Sequence, residues 1–256
     1  MSILYHTTGI VLSKRDWREV DRIYSVLTLD HGKIEVVGRG ARKPLAKLAP
    51  HLEFCAEVDL LVVRGRIYET VAGVERQRAF YFHENFTKAL LVNHVLQLIN
   101  LGTREKEADR ILYKELRAFL TFLNNTSEIS EERAAFLLSS FALKILAILG
   151  YRPELNTCLH CQQAIRPGDF FWHSIKGGVV CRDCALADME QWFSAKPLTD
   201  DVLKLLRFSL VEKFGELLKP RLNGKTIEDF HETVESLLVA HFPSIPAVSL
   251  RSALIL

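Results

Sequence analysis

The stretch Asp21–Gly38, "DRIYSVLTLDHGKIEVVG", carries a clear structural signal. Apolar residues alternate with more polar neighbours from Ile23 to Leu29, and the largely apolar run Ile34–Val37 follows. The residues between the two segments, Asp30-His31-Gly32, are turn formers. Alternation with a period of two is typical of a strand with one buried face. The stretch therefore predicts a β-hairpin.

A second pair of strands is predicted further along the chain. One predicted face carries Phe54, Ala56, Val58, Leu60 and Val62, and the other carries Cys55, Glu57 and Asp59. Arg64-Gly65-Arg66 then turns the chain into a strand at Ile67–Glu75. About five short strands fall before Phe82, with no helical period between most of them, and this pattern predicts a small closed antiparallel barrel.

After Phe82 the apolar residues take the period of helices. We predict helices at 83–101, 105–123, 130–150, 199–218 and 226–241. Ser130, Thr199 and Thr226 provide N-terminal caps, and Gly150 ends the third helix. That helix is apolar nearly all round, so we expect it to be the central helix of its domain.

Four of the five cysteines lie in two Cys-x-x-Cys pairs, Cys158/Cys161 and Cys181/Cys184. The spacer Gly168–Val180 is typical of a strand, a turn and a second strand, which would bring the pairs together. Two such pairs supply the four thiolates of a tetrahedral site, so we predict one structural Zn²⁺ in a zinc ribbon. The alternatives are a redox Cys-x-x-Cys motif and two disulfides. The fifth, Cys55, is expected to be a small buried residue.

Composition narrows the class of protein further. The chain has 256 residues, 48% of them hydrophobic, and a formal net charge of only +2. Any basic surface must therefore be local. The N-terminus lacks the features of a signal peptide, and the longest apolar run, Ala134–Leu149, is interrupted by polar residues. We expect no membrane span and a reducing compartment.

A local basic segment follows the first hairpin, where Gly38–Lys47 contains four cations and no acid. Its glycines would let backbone N–H groups approach an anion, but the spacing fits neither a P-loop nor a dinucleotide motif. A solvated loop and a phosphate-binding loop both remain open. Small barrels commonly bind oligonucleotides, and Trp17, Tyr24 and Tyr68 offer stacking surfaces unless they belong to the core.

The chain resembles the RecO family of bacterial recombination mediators. The matching N-terminal positions are Gly9–Leu12, Arg15, Glu19-Val20-Asp21, Leu27-Thr28, Gly32 and Gly40-Ala41-Arg42-Lys43. Gly-Tyr-x-Pro at 150–153, followed by the cysteine pairs, also matches. Arg18 departs from the pattern, because the family usually has glycine before Glu19.

The resemblance implies an α+β multidomain protein with an N-terminal OB-fold antiparallel β-barrel. The expected domains are the barrel at 1–82, a mainly α-helical domain at 83–155 and 191–256, and the inserted zinc ribbon at 156–190. The implied function is strand annealing and recombinase loading in recombinational DNA repair, on single-stranded DNA coated by single-strand-binding protein. RecR, single-strand-binding protein and single- and double-stranded DNA are the implied partners, with a cytoplasmic, nucleoid-associated location and no catalysis.

Candidate residues follow from the basic positions. We expect DNA phosphates to be neutralised by Lys14, Arg15, Arg39, Arg42, Lys43, Arg64 and Arg66. The family's docking site for the acidic tail of single-strand-binding protein lies in the helical domain, where the candidates are Arg104, Arg110, Lys114 and Arg117. A solvated helix face is the alternative for these four. A zinc-ribbon adaptor for RNA or protein without annealing activity, and a nuclease, are the competing functions.

Overall fold

The computed structural model describes residues 3–82, 84–221 and 223–243. The chain divides between Ser127 and Glu128 into two compact units. The first contains the barrel and two helices, and the second contains the remaining helices and a small sheet. The domain boundaries expected from the sequence stay a prediction.

Five strands form the barrel: β1 (Ile3–Trp17), β2 (Asp21–Thr28), β3 (Gly32–Gly38), β4 (Glu57–Arg64) and β5 (Glu69–Arg78). The sheet closes in the order β1-β2-β3-β5-β4, with β3 and β5 parallel and the other pairs antiparallel. This five-stranded arrangement confirms the predicted barrel and is that of an OB-fold. The interior is filled by alternating side chains from the strands, including Val26, Ile34, Val36, Leu60 and Val62.

The opening hairpin has the predicted position. Thr28 pairs with Gly32 and Ile23 with Val37, and the Thr28 hydroxyl donates to the Gly32 carbonyl at 2.7 Å. Gly32 has φ +67°, and a Cβ there would lie 2.3 Å from the Glu107 carbonyl oxygen. Only glycine fits this turn, because it must adopt the left-handed conformation beneath another segment of backbone.

The strand predicted to start at Phe54 begins three residues later, at Glu57. Cys55 has φ +68°, and its N–H donates to the Val11 carbonyl. Because this backbone conformation is not extended, β4 can begin only after Cys55. Cys55 is buried, as expected, and burial raises the pKa of its thiol. The sequence predicts Glu57 on the polar face, but Glu57 is also buried, and its carboxylate accepts a hydrogen bond from the buried Tyr113 hydroxyl.

Two helices complete the first unit, α1 (Phe86–Gly102) and α2 (Arg110–Asn125). Each begins later than the apolar period suggests. The Asn85 side chain accepts from the Lys88 N–H, and Asp109 accepts from the N–H groups at 111 and 112. These capping bonds satisfy amide groups that have no partner within a helix, and so define the first turn.

The second unit is built around α3 (Glu131–Ile148), which Ser130 caps as predicted. Its other elements are β6 (Phe170–His173), β7 (Gly178–Cys181), α4 (Arg182–Ala187), β8 (Lys196–Pro197), α5 (Asp200–Val211), a 3₁₀ turn at Glu216–Leu218 and α6 (Gly224–His241). α3 packs on both α5 and α6, so the small sheet β7-β6-β8 is inserted between helices that pack together.

Three details of the second unit differ from the sequence prediction. The helix from Thr199 ends at Val211, because Glu212 is extended and the chain then turns through Gly215. The last helix begins at Gly224, because Asn223 rather than Thr226 provides the cap. The short helix α4 was not predicted from the sequence.

Candidate nucleic-acid interface and cysteine cluster

An open groove of about 810 Å³ lies on the barrel, between the β1–β2 turn and the β4–β5 turn. Its lining combines cationic and aromatic side chains with backbone from both turns. Among the lining residues are Trp17, Arg18, Asp21, Arg39, Arg66, Ile67 and Tyr68. In proteins that bind single-stranded nucleic acid, cationic side chains contact the phosphates and aromatic rings stack on the bases.

The basic loop after β3 is fastened to the β1–β2 turn. Gly40 has φ +64°, and its N–H donates to the Asp21 carboxylate at 2.8 Å. The Arg42 N–H donates to the Val20 carbonyl at 2.9 Å. Gly40 therefore shapes the turn that holds the loop in place, and its backbone N–H serves a carboxylate of this chain rather than an external anion.

Arg42 holds the β1–β2 turn with its side chain. Its guanidinium donates to the Glu19 carbonyl at 3.1 Å and the Arg18 carbonyl at 3.4 Å, and it pairs with Asp16 at 3.3 Å. The hydrogen bond from Arg22 is the main reason that the pKa of Asp16 is lowered, and the charge of Arg42 adds to it. Arg42 thus has a structural role that its position in the sequence did not reveal.

The other predicted DNA-binding cations divide into paired and unpaired groups. Lys14 pairs with Glu53 at 2.6 Å, Arg15 with Glu35 at 3.0 Å and Arg64 with Glu69 at 3.6 Å. Arg39, Lys43 and Arg66 are exposed, and within the described parts of the chain they form no ion pair. Two of these three, Arg39 and Arg66, line the groove.

The three candidate stacking residues have different environments. Tyr24 is fully buried in the barrel core. Trp17 and Tyr68 lie at the groove with ring centroids 4.8 Å apart, and Tyr68 is 41% exposed. Only the tertiary structure separates core from surface here, since all three positions have the same aromatic character in the sequence.

Arg18 was absent from the predicted binding residues, although it also lines the groove. It has φ +54°, a conformation that favours glycine, which accounts for the glycine expected there by resemblance. Its guanidinium carbon lies 4.2 Å from the centroid of the Trp17 ring. In the sequence, the feature that could have identified this residue is the arginine itself, which stands where the family usually has glycine.

Three of the four candidate partner-binding residues are engaged within the first unit. Arg110 pairs with Asp30 at 2.5 Å, Arg117 with the buried Glu57 at 2.6 Å and Arg104 with Glu107 at 3.7 Å. Lys114 is exposed on α2, without an ion pair among the residues that the structure describes. The role of these four in partner binding stays a prediction.

The two cysteine pairs converge in the second unit. The four Sγ atoms lie within 4.8 Å of one another, and those of Cys161 and Cys181 are 3.9 Å apart. Ligands about 2.3 Å from a central ion lie about 3.8 Å apart in a tetrahedron. All four thiols are free, so the cluster fits a metal ion and not the disulfide alternative.

Local structure explains why the pairs meet. β6 and β7 form the predicted hairpin, in which Phe170 pairs with Cys181, so the second pair is delivered beside the first. The first pair forms a knuckle closed by the Gln162 N–H on the Cys158 carbonyl at 3.0 Å, with Gln162 at φ +59°. Cys184 lies in the first turn of α4.

Backbone amides prepare the cluster for a cation. Burial opposes ionisation of Cys158, but N–H groups of Cys181 and His160, each 3.4 Å from its sulfur, outweigh it and lower its pKa to about 6. Burial raises the pKa of Cys184 to about 12 in the absence of a metal. Metal binding would therefore release thiol protons.

The histidines near the cluster pack rather than ligate in this arrangement. His173 is buried, receives the Lys176 N–H on Nδ1 at 3.2 Å and contacts the Ser194 hydroxyl through Nε2 at 3.2 Å. His160 and His173 both pack nearly perpendicular to the ring of Trp192. Burial lowers the pKa of His173, which favours a neutral ring in this packing.

Among the described residues, a serine–histidine pair also lies outside these sites. The Ser139 hydroxyl and His231 Nδ1 lie 2.5 Å apart between α3 and α6. Ser139 is fully buried and His231 is 9% exposed. A nucleophile needs access to its substrate, so this hydrogen bond belongs to the helical core.

Comparison with known proteins identifies the family of the chain. A family model described as "Recombination protein O N terminal" matches residues 1–80, and one described as "Recombination protein O C terminal" matches residues 83–251. The chain belongs to the RecO family. This confirms the resemblance seen in the sequence and makes the chain a member of a DNA repair family.

Similar RecO proteins cover nearly the whole chain. The one from Rubrobacter xylanophilus is 30% identical over 96% of this chain and 95% of its own length. That from Symbiobacterium thermophilum is 30% identical over 93% and 92%, and that from Alkaliphilus metalliredigens 26% identical over 98% and 99%. Each is named "DNA repair protein RecO". Among the described residues, no helix is both long enough and apolar enough to cross a membrane.

Proposed function

We propose that this RecO family member is a DNA-binding recombination mediator. In this proposal it anneals complementary strands and, with RecR, helps load recombinase onto single-stranded DNA coated by single-strand-binding protein. The observation that carries the proposal is the barrel groove, where Arg39 and Arg66, which have no ion pair within the described part of the chain, lie beside the exposed ring of Tyr68. We include in the proposal the cytoplasmic, nucleoid-associated location predicted from the sequence, because a DNA-binding protein acts where the DNA is.

The groove supports contact with the DNA backbone rather than base readout. Arginine and lysine side chains neutralise phosphates whatever the sequence, and they leave the base edges free to pair. Annealing requires this property, because the bases of a bound strand must remain available to a complement. Lys14, Arg15 and Arg64 are engaged by carboxylates, so we assign the main phosphate contacts to Arg39, Lys43 and Arg66.

Salt-dependent binding tests this assignment. Arg39→Ala/Lys43→Ala/Arg66→Ala should weaken binding to single-stranded DNA by roughly 100-fold, and reduce the slope of log K against log salt by about 2. Lys204→Ala/Lys219→Ala/Lys225→Ala removes the same charge from exposed positions in the second unit and is the matched control. Equal affinities and slopes for both triple variants would exclude the groove.

Strand annealing separates a mediator from the competing adaptor. The wild-type chain should accelerate pairing of complementary strands, with and without single-strand-binding protein. An adaptor for RNA or protein would leave the pairing rate unchanged, and a nuclease would instead cleave the DNA in the presence of a metal ion. We propose that no catalysis is involved, since the Ser139–His231 pair is enclosed in the core.

We further propose that Cys158, Cys161, Cys181 and Cys184 hold one structural Zn²⁺. Four soft thiolate ligands at this spacing suit zinc, and they leave no coordination position for water or substrate. When bound, the ion cross-links the knuckle at Cys158 to the end of β7. The chain's own residues then provide the amide groups that stabilise the Cys158 thiolate.

We propose that single-strand-binding protein binds to the exposed surface of α2. Lys114 is the cation available there, because Arg110 and Arg117 already hold α2 to the barrel. Lys114→Glu should weaken binding of an acidic C-terminal peptide of that protein while leaving DNA affinity unchanged. A variant that binds the peptide as tightly as the wild type would remove Lys114 from the contact.

A further inference from the structure

We infer that Arg18 is a preorganised phosphate-binding residue of the groove, held in place by Trp17, and that this position determines affinity for single strands. The inference rests on the proposed DNA binding and deepens it, because it names one residue that contacts the DNA and specifies single-stranded DNA as the ligand. It starts from three independent observations about Arg18: its backbone conformation, its contact with an aromatic ring and its place in the groove.

The backbone of Arg18 adopts a conformation that disfavours an arginine. With φ +54° it lies in the left-handed region, where any side chain with a Cβ is strained and glycine is not. The turn does not depend on the Arg18 side chain, since Arg42 holds it through the backbone carbonyls of residues 18, 19 and 20. Backbone strain of this kind also occurs at Lys106, so it is the combination of the strain with the place of Arg18 in the groove that points to the side chain.

The side chain is also fixed by an aromatic platform. The Arg18 guanidinium lies 4.2 Å from the centroid of the Trp17 ring, while Tyr68 packs against Trp17 with centroids 4.8 Å apart. Trp17 is thus contacted by both residues at the groove wall. An exposed arginine normally loses side-chain freedom when it binds an anion, and this cation–π contact removes part of that cost in advance.

The surroundings favour a single strand as the occupant. Arg18 shares the groove with Arg39 and Arg66, which supply further positive charge for the backbone. Tyr68 and Ile67 are 41% and 83% exposed, so they offer an apolar surface to an unstacked base. Bases in a duplex are stacked on one another, so only a single strand can use both the cations and this surface.

Four variants test the role of Arg18, with fluorescently labelled oligo-dT and a duplex of equal length as probes. Arg18→Gly should weaken oligo-dT binding roughly tenfold and reduce the salt slope by about 0.7, the value for one phosphate contact on a single strand. Duplex binding should change less. Arg18→Lys should restore the slope, because it restores the charge.

Trp17→Leu separates positioning from charge. It keeps Arg18 but removes its platform, so affinity should fall while the salt slope stays at the wild-type value. If Trp17 had a purely structural role, the substitution would instead lower the melting temperature, without a loss of affinity at an unchanged salt slope. Trp17→Phe keeps an aromatic ring and should recover most of the affinity.

Lys106→Gly is the matched control for Arg18→Gly. Lys106 is an exposed cation of the same unit with φ +63°, and it does not line the groove. Its replacement removes one charge and the same kind of backbone strain, and oligo-dT affinity should stay within about twofold of wild type. Melting temperatures of both glycine variants should stay within about 2 °C of wild type, because relief of strain offsets the lost contact.

The outcomes distinguish this inference from the proposed function. Wild-type protein that fails to bind oligo-dT would overturn both. Wild-type binding with an unchanged affinity and slope in Arg18→Gly would overturn the role of Arg18 alone. An equal loss in Arg18→Gly and Lys106→Gly would show a general effect of net charge and would also overturn it.

Discussion

At the scale of single residues, the cysteine cluster gives a direct prediction. Cys158→Ser should reduce bound zinc from one ion per chain to none, because Cys158 is the buried thiol of the proposed zinc site and two backbone N–H groups point to its sulfur. Metal content after dialysis, measured by atomic emission, checks this. Cys55→Ser is the control, since Cys55 is a buried cysteine of the other unit. Full zinc content in the Cys158 variant would refute the ligand assignment.

Residues with the same sequence character take different roles in the structure. Arg42 and Arg39 lie three positions apart in one basic loop, yet Arg42 fastens the β1–β2 turn while Arg39 faces the groove. The sequence predicted both as phosphate contacts. The sequence could not distinguish their roles, because the carbonyls and the carboxylate that Arg42 binds belong to β1 and the β1–β2 turn, which are distant from Arg42 along the chain.

At the scale of elements, α2 is joined to the barrel by a buried carboxylate. Glu57 at the start of β4 accepts from the Tyr113 hydroxyl at 2.9 Å and the Arg117 Nε at 2.6 Å. Burial, together with the charge of Glu57, raises the pKa of Tyr113, so the phenol remains a donor. A buried carboxylate that loses a charged donor is destabilising, because it keeps the cost of desolvation.

This contact predicts a difference between two cations of α2. Arg117→Ala should lower the free energy of unfolding by about 1–2 kcal/mol, a value reduced for the partial exposure of the arginine. Lys114→Ala, on the exposed side of the same helix, should change it by less than about 0.5 kcal/mol. Urea unfolding followed by circular dichroism measures both. Identical midpoints would mean that the Glu57–Arg117 pair contributes nothing to stability.

At the scale of the whole molecule, the groove and the cysteine cluster belong to separate compact units. A chelator that removes the proposed Zn²⁺ should therefore increase hydrogen exchange in residues 156–190, because the two cysteine pairs would lose their cross-link. Exchange in the barrel strands and affinity for oligo-dT should not change. Loss of DNA affinity on chelation, with the barrel still protected, would show that the metal contributes to nucleic-acid binding.

The amino-acid sequence was enough to predict the barrel, the four-cysteine cluster and the family. The hairpin at Asp21–Gly38 and the cysteine spacing depend on local alternation and turn chemistry, which are written in neighbouring residues. Helix starts were less accurate, because caps such as Asn85 and Asp109 override the apolar period at its ends.

Which cations remain free of carboxylate partners, and which aromatic rings face the groove, could be seen only in the folded chain. Arg18, Arg39, Arg66 and Tyr68 meet there because barrel closure brings separate turns together. Lys14, Arg15 and Arg64 are instead paired with carboxylates from other parts of the chain. Charge pairing acts through space over a few ångströms, so it depends on the closed fold and not on separation along the sequence.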